Sequence, residues 1–252
     1  MAMMVSARIN GGLGNQLFQH AAAFHYAVKH GATFCYSDYA ANHSPHSHIK
    51  YKDNIFLRFH ESKFIPDSFF NEQARDCLSY RAFNRIAARN HLQLRGYFQS
   101  EHYVEPDFIR LLNFGDPFEY LKNTAFIHVR RGDYVGNKIH DLNLSRYQER
   151  AIAQMRMARP NTQFIVLSND FFWCQEQKAF EGMRVIRDMD EIDTLKTMMA
   201  CQNGGICANS TFSWWGAYLN QSPDALIFQP NRWLDCNWPQ NIQFKRAIKV
   251  RL

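Results

Sequence analysis

Along this chain apolar residues recur with two periods, and the alternation between them predicts the elements. Short apolar or β-branched runs at residues 5–10, 33–37 and 92–98 read as strands, and apolar positions at helical spacing over 13–30 predict a long first helix. Residues 42–52 form a polar, His-rich loop, and 55–90 read as loops with at least one helix. Glycine and proline punctuate 113–117, where the chain is expected to cross between two halves. Beyond that point strands are predicted at 125–129, 163–167, 183–186, 206–208 and 225–228, with helices at 145–159, 171–179, 190–202 and 211–219. Strand and helix alternating at this interval is the signature of α/β layering on a parallel sheet, and the second half reads as a Rossmann-like domain. The expected division is 1–117 and 118–252.

Composition narrows the function classes without choosing one. The 252 residues carry a formal charge of +6, which suits a phosphorylated small molecule, nucleic acid or an anionic membrane surface. Aromatics reach 15%, a surplus of Phe and Tyr of the kind that lines binding clefts. The cysteines Cys35, Cys77, Cys174, Cys201, Cys207 and Cys236 show neither a CxxC pair nor zinc-finger spacing, so they are expected to be reduced. The N-terminus has no basic segment followed by a long apolar stretch, which makes the cytoplasm the expected location.

Three stretches carry chemistry. In NGGLGNQLFQ, starting at Asn10, the glycines Gly11, Gly12 and Gly14 fall between a strand and a helix, where a turn exposes backbone N–H groups to an anion or a sugar. A dinucleotide site is the rival reading, with Asp38 as the ribose acid, but Leu17 occupies the third position, where close helix packing wants Gly or Ala. In HVRRGDY, His128 to Tyr134, a strand delivers Arg130 and Arg131 to its carboxyl end, where open α/β sheets bind ligands. A guanidinium matches two phosphate oxygens, so Arg130 is expected to grip a diphosphate; Arg131 pairs equally well with Asp133 or Asp170 to shape the turn. In CANSTFSWWGAYLN, Asn209, Ser210 and Thr211 can each cap the helix that follows, and its free N–H groups can also bind phosphate. Trp214 and Trp215 are expected in the core.

Other candidates are weaker. Asp190, Glu191 and Asp193 open a helix, where acids favour the dipole, although a carboxylate at a nucleotide pocket can also accept from guanine N1–H and N2–H₂. Asp188 and Asp190 make a formal DxD pair of the kind that holds a divalent metal. His43, His46 and His48 cluster in a loop that solvation explains better than chelation. GxSxG, HExxH and the Walker A pattern are absent.

Taken together, NGGLGNQLFQ, GYFQSEHYV at residues 96–104, HVRRGDY and NSTFSWWGAYLN resemble, in order and spacing, the α-1,2-fucosyltransferases of glycosyltransferase family 11; SNDFFWC at 168–174 is similar to a fifth motif. The resemblance runs from Asn10 to about Asn220. It implies a GT-B type α/β enzyme, two Rossmann-like domains facing a central cleft, that moves L-fucose with inversion from GDP-fucose to the 2-hydroxyl of a galactose-containing glycan, with no cofactor and no metal. By position, Arg130 would stabilise the β-phosphate, with Arg131 beside it, and His128 would lie against the nucleotide. Asp193 would read guanine; Asn209, Ser210, Thr211, Phe212 and Ser213, with neighbouring amides, would hold the diphosphate. Gly12, Gly14, Asn15 and Gln16 would face the donor from the acceptor side. Asn203-Gly204-Gly205 stands where relatives often carry a His, and the chain is short for the family, so the acceptor is not carried over. For the base that takes the acceptor's proton, Asp133 comes first, before Asp38, Glu101 and His20. Peripheral attachment to the inner face of the membrane through the acceptor is compatible with this reading. The other classes are an NAD-dependent oxidoreductase using the first glycine loop and a basic RNA-binding protein; the latter lacks any RNP-like or KH-like signal.

Overall fold

A computed structural model describes residues 3–37, 49–63, 65–86, 90–115 and 119–252. The chain divides into two compact units, Met1–Asp116 with Trp238–Ile242, and Pro117–Asn237 with Gln243–Leu252. The return of 238–242 to the first unit departs from a single cut at residue 117. Asn241 anchors that segment by donating its N–H to the Leu78 carbonyl at 2.9 Å.

In chain order the first unit holds β1 (Met4–Ala7), α1 (Leu13–His30), β2 (Thr33–Phe34), β3 (Tyr36–Ser37), α2 (Ile49–Lys52), β4 (Glu61–Ser62), β5 (Ser68–Asn71), β6 (His91–Arg95) and α3 (Pro106–Leu111). Its main sheet runs β2-β1-β6-β5, all parallel. The expected strand at 33–37 is instead two strands in different sheets: β2 pairs with β1, and β3 pairs with β4. Helix α1 has the expected bounds because its buried face includes Leu17, Phe18, Ala21, Ala22 and Tyr26, and Gly31 at φ +64° ends it with an N–H to the Ala27 carbonyl. Much of the aromatic surplus lies inside this unit. Tyr26, Phe83, Phe98 and Tyr103 pack in the core with Val5, Leu92 and Leu94, and Phe56 stacks on Phe59 at 4.9 Å.

The second unit continues with β7 (Thr124–Val129), α4 (Ser145–Ala158), β8 (Gln163–Ser168), α5 (Phe171–Gln175), β9 (Arg184–Ile186), α6 (Glu191–Ala200), β10 (Gly204–Ile206), α7 (Thr211–Tyr218), β11 (Leu226–Pro230) and β12 (Ile248–Val250). Six parallel strands lie in the order β12-β11-β10-β7-β8-β9. From β7 the chain builds outward one way through β8 and β9, then returns to lay β10 on the other side. The strand order therefore reverses between β7 and β10. Such a switch point leaves a crevice outside the strands' carboxyl ends, where α/β sheets bind ligands.

Packing fixes β7 and β10 firmly. All six residues of β7 are buried, and Ala125, Ile127 and Val129 share a core with Tyr147, Ala151 and Met155 of α4. Strand β10 starts two residues before the expected 206–208, because Gly204 and Gly205 show no apolar period. Their lack of a side chain is what the packing needs: a Cβ on Gly205 would run into the Phe126 ring, and one on Gly204 into the Leu226 backbone. Trp214 and Trp215 are fully buried in the core, as expected.

Candidate active site

At the tip of β7 the chain turns through a single 3-10 turn, 132–134. Gly132 sits at φ +55°, which favours glycine, and a Cβ there would also press on the side-chain amide of Asn169. Two residues after β8 complete the turn. Asn169 Oδ1 accepts the Arg131 N–H at 2.9 Å, and Asp170 Oδ2 accepts from Arg131 Nε at 2.9 Å. The Arg131 guanidinium also lies over the Trp173 ring at 4.2 Å. Of the two carboxylates expected for Arg131, Asp170 is the one used. SNDFFWC thus braces the arginine turn, with Asp170 also capping α5 by accepting from Trp173 N–H.

Arg130 is held more lightly. Its Nη2 donates to Asp133 Oδ1 at 2.6 Å, and Asp133 is 65% exposed while Arg130 is 30% exposed. An exposed pair of this kind contributes about 0–1 kcal/mol and yields readily to a ligand. The Arg130 guanidinium lies 5.4 Å from the centre of the Tyr134 ring. Tyr134 in turn donates its hydroxyl to the Asn209 carbonyl at 3.4 Å and is hydrogen-bonded to Ser210, with burial lifting its phenol to about 12. One side chain thus ties the turn after β7 to the segment between β10 and α7, across the switch point.

On the β10 side, Ser210 caps α7 by accepting from the Phe212 N–H at 3.4 Å. His128, in β7, lies 5.8 Å from Phe212. Its Nδ1 is buried with no hydrogen-bond partner among the described residues. Burial, and then the charge of Arg130, drives His128 down to about 3, so the ring is neutral at any working pH. A neutral imidazole with an unused nitrogen beside a guanidinium is a group waiting for a polar ligand atom.

Several expected site residues have other work. Asn209 is buried and spends its Nδ2 on the carbonyls of His140 and Trp233, each at 3.0 Å. Ser213 is fully buried, with its hydroxyl on the Ala208 and Ser210 carbonyls. Both side chains shape the start of α7 through these bonds. Thr211 and Phe212 open α7. Asp193 is exposed in the first turn of α6, and its N–H goes to the capping carboxylate of Asp190. No contact among the described residues brings Asp193 to the arginine turn. Asp190 caps α6 and Asp188 pairs with Arg187 at 3.2 Å, which accounts for the DxD pair. Asp38, His43, His46 and His48 lie outside the described residues.

In the first unit the glycine loop follows β1 and the GYFQ segment follows β6, again at the carboxyl ends of adjacent strands. Asn10 donates to the Tyr97 hydroxyl at 3.2 Å, Gln19 to the Gly96 carbonyl at 3.2 Å, and Gln99 to Asn15 at 3.0 Å. Gln16 is buried and donates to the Gly11 carbonyl at 3.0 Å, so it shapes the loop from within. Leu17 is fully buried within α1. Sequence reasoning assigned no role to Asn169, Tyr134 or the carboxylate of Glu72, which accepts the N–H groups of Tyr97 and Phe98. Asn169 and Tyr134 lie inside motifs and Glu72 far from any in sequence, yet only the folded contacts give each a partner.

A cavity of about 330 Å³ opens beside the arginine turn, with Arg130, Arg131, Trp173 and the start of α4 in its wall. No helix among the described residues is long and apolar enough to cross a membrane.

Comparison with known proteins agrees with this architecture. The family described as Glycosyl transferase family 11 matches residues 79–246. The chain is 26% identical to an α-1,2-colitosyltransferase of Escherichia coli, covering 92% of this chain and 93% of that protein. It is 25% identical to the O-antigen biosynthesis glycosyltransferase WbnK of Escherichia coli, covering 91% and 94%. The two alignments run over 271 and 295 residues, more than the 252 of this chain, so both relatives carry residues that it lacks, in line with the expected shortfall in length. In fold it is similar to the fucosyltransferase NodZ from Bradyrhizobium, with TM-score 0.51, 13% identity and coverage of 86% of this chain and 93% of that one. The α-1,6-fucosyltransferase NodZ co-crystallised with GDP gives TM-score 0.52 at 13% identity, covering 86% and 92%.

Proposed function

Since the chain belongs to glycosyl transferase family 11 and is a glycosyltransferase, we propose that it transfers L-fucose from GDP-fucose to the 2-hydroxyl of a galactose-containing glycan, with inversion. The observation that carries this reading is the pairing of Arg130 with the Ser210-capped start of α7 across the switch point, joined through Tyr134. Positive charge from a guanidinium and from a helix N-terminus converging on one crevice suits a diphosphate. Likeness in fold to a protein co-crystallised with GDP, and relatives named as glycosyltransferases, support the same donor class.

In the proposed reaction the acceptor oxygen forms a bond to the anomeric carbon as the bond from that carbon to the β-phosphate oxygen breaks. GDP leaves with the electron pair, and the acceptor's proton passes to a base. Arg130 and the amides of Thr211 and Phe212 stabilise the charge that grows on the leaving phosphate, which is electrostatic catalysis at the leaving group. His128 contacts the nucleotide through its unused Nδ1, and Asp133 is proposed as the base. Arg131, held by Asp170 and Trp173, keeps the turn in shape. Gly12, Gly14 and Asn15 are kept as acceptor-side residues. With that charge already supplied by the protein, the transfer needs no metal. A cytoplasmic setting goes with this reading, with peripheral attachment wherever the acceptor is carried on a membrane.

Titration calorimetry with GDP, NAD and a short RNA, each with and without EDTA, tests the reading. Saturable binding of GDP alone, insensitive to EDTA, is expected; binding of NAD or RNA in preference to GDP contradicts it. Turnover of GDP-fucose against GDP-colitose, with product linkage read by NMR, then decides the donor sugar, a choice that the colitosyltransferase relative makes necessary.

A further inference from the structure

The cavity beside the arginine turn lies wholly within the second unit. Its wall mixes apolar residues, among them Val129, Leu142 and Leu144, with the polar Asn143, Ser145 and Gln148. About 330 Å³ is within the range of small-molecule sites. Gln148 is the telling residue. It is 4% exposed, yet its side-chain amide forms no hydrogen bond among the described residues and faces this cavity. With no protein partner, the amide keeps its donors and its acceptor for whatever fills the cavity.

The chemistry of the wall indicates which group. Both arginines already carry carboxylates, Arg130 with Asp133 and Arg131 with Asp170, and Asp141 adds a further negative charge. With Arg130 turned to the donor's phosphate and Arg131 held by Asp170, a second phosphate here would find no uncommitted cation and would face Asp141. A pyranose asks for something else: donors and acceptors close together for its hydroxyls, and aliphatic surface for its C–H face. Gln148 and Asn143 offer both donor and acceptor, Ser145 a hydroxyl and Asp141 an acceptor, in a wall that also holds two valines and two leucines.

We propose that this cavity is a binding site for a neutral hexopyranose unit, with Gln148 as its specificity-determining residue. The assignment of that hexose to the acceptor glycan rests on the fucosyl-transfer reading; the presence of a sugar site does not. Arg130 lines the cavity and also lies over Tyr134, so one guanidinium would border both the donor's phosphate and the hexose. That is the placement a group-transfer site requires.

The test uses the full chain with methyl β-D-galactopyranoside and lactose as probes. Gln148→Met removes the amide and keeps the volume; Ser145→Phe narrows the cavity from an exposed position and does not touch the core. Saturation-transfer NMR reads sugar binding, calorimetry reads GDP binding, and steady-state kinetics read acceptor KM and kcat. Both variants are expected to weaken galactoside binding and raise acceptor KM about tenfold, with kcat and GDP affinity within about threefold of wild type. Should wild type fail to bind GDP while galactoside binding still depends on Gln148, the sugar site stands and the donor reading falls. Unchanged galactoside binding and acceptor KM in Ser145→Phe and Gln148→Met overturn the proposal. So does a loss of GDP affinity in both with acceptor KM unmoved, since the cavity would then belong to the donor.

Discussion

Arg130 differs from its neighbour in how it is held. Arg131 is fixed by Asn169, Asp170 and Trp173, whereas Arg130 has one exposed carboxylate and an aromatic ring. A guanidinium that strengthens its contact as the leaving phosphate gains charge should act on turnover, so Arg130→Ala is expected to lower kcat by about 10²–10³ with a smaller change in KM. Turnover near wild type would remove Arg130 from the reaction. Asp133→Asn separates two roles: a base should cost kcat at least about a hundredfold, while a partner that only orients Arg130 should cost much less. His128 makes a prediction about stability. Its folded value of about 3 lies below the ordinary 6.5, so the unfolded chain takes up the proton first. The stability tied to its neutral form is complete above about pH 6.5 and is lost as pH falls toward 3, by up to about 1.4 kcal/mol per pH unit. Urea unfolding of His128→Phe should show a shallower loss across that window than wild type. Of these residues, the placement of the arginines after β7 and of Ser210 as a cap was legible because strand ends and helix caps have sequence signatures. The internal hydrogen bonds of Asn209 and Ser213 were not legible, because the same residue types serve ligands and buried carbonyls alike and only packing shows the second use.

Secondary elements were legible where an apolar period marks them, and the strands show this best. Strands β7 and β8 read correctly because a parallel strand covered on both faces is a continuous apolar run. Strands β5 and β12 went unseen: each lies at an edge of its sheet, and β5 alternates exposed and half-buried residues while β12 buries only Val250. Helix α5 ends at Gln175, short of the expected 179, and a 3-10 turn at Lys178–Phe180 takes over. The turn after β6 carries its own test. Phe98 sits at φ +50°, and Glu72 accepts the N–H groups of Tyr97 and Phe98 at 2.7 and 3.1 Å. Burial, reinforced by Asp76 and opposed by those two N–H groups, lifts Glu72 to about 7 from an ordinary 4.5. Because the folded value is the higher one, the contribution is fully favourable below about pH 4.5 and is lost as pH rises through about 7. Glu72→Gln keeps an acceptor without a charge. Relative to wild type it should gain stability between about pH 5 and pH 8 and match it near pH 4; a difference that does not vary with pH would exclude Glu72 as the titrating group.

At the level of the whole molecule, every residue proposed to touch the donor's phosphates lies in the second unit, between His128 and Phe212. A ligand that binds only the folded form stabilises it by RT ln(1 + [L]/Kd), about 2.7 kcal/mol at a hundredfold excess over Kd. Amides that exchange only when that unit opens should then slow by up to about a hundredfold. The fully buried β7, and β10 beside it, are the reporters, because their amides are locked in the centre of the six-stranded sheet. Strands β1 and β6 have a separate core of Val5, Leu92, Tyr26 and Phe98, so their exchange should slow by less than about threefold. Hydrogen exchange read by mass spectrometry, with and without GDP, measures both sets at once. Equal slowing in the two units would mean that they open together, and a single cooperative transition would replace the picture of two compact bodies. No slowing in β7 and β10 at saturating GDP would place the nucleotide elsewhere, and the +6 charge would then need a different anion to explain it.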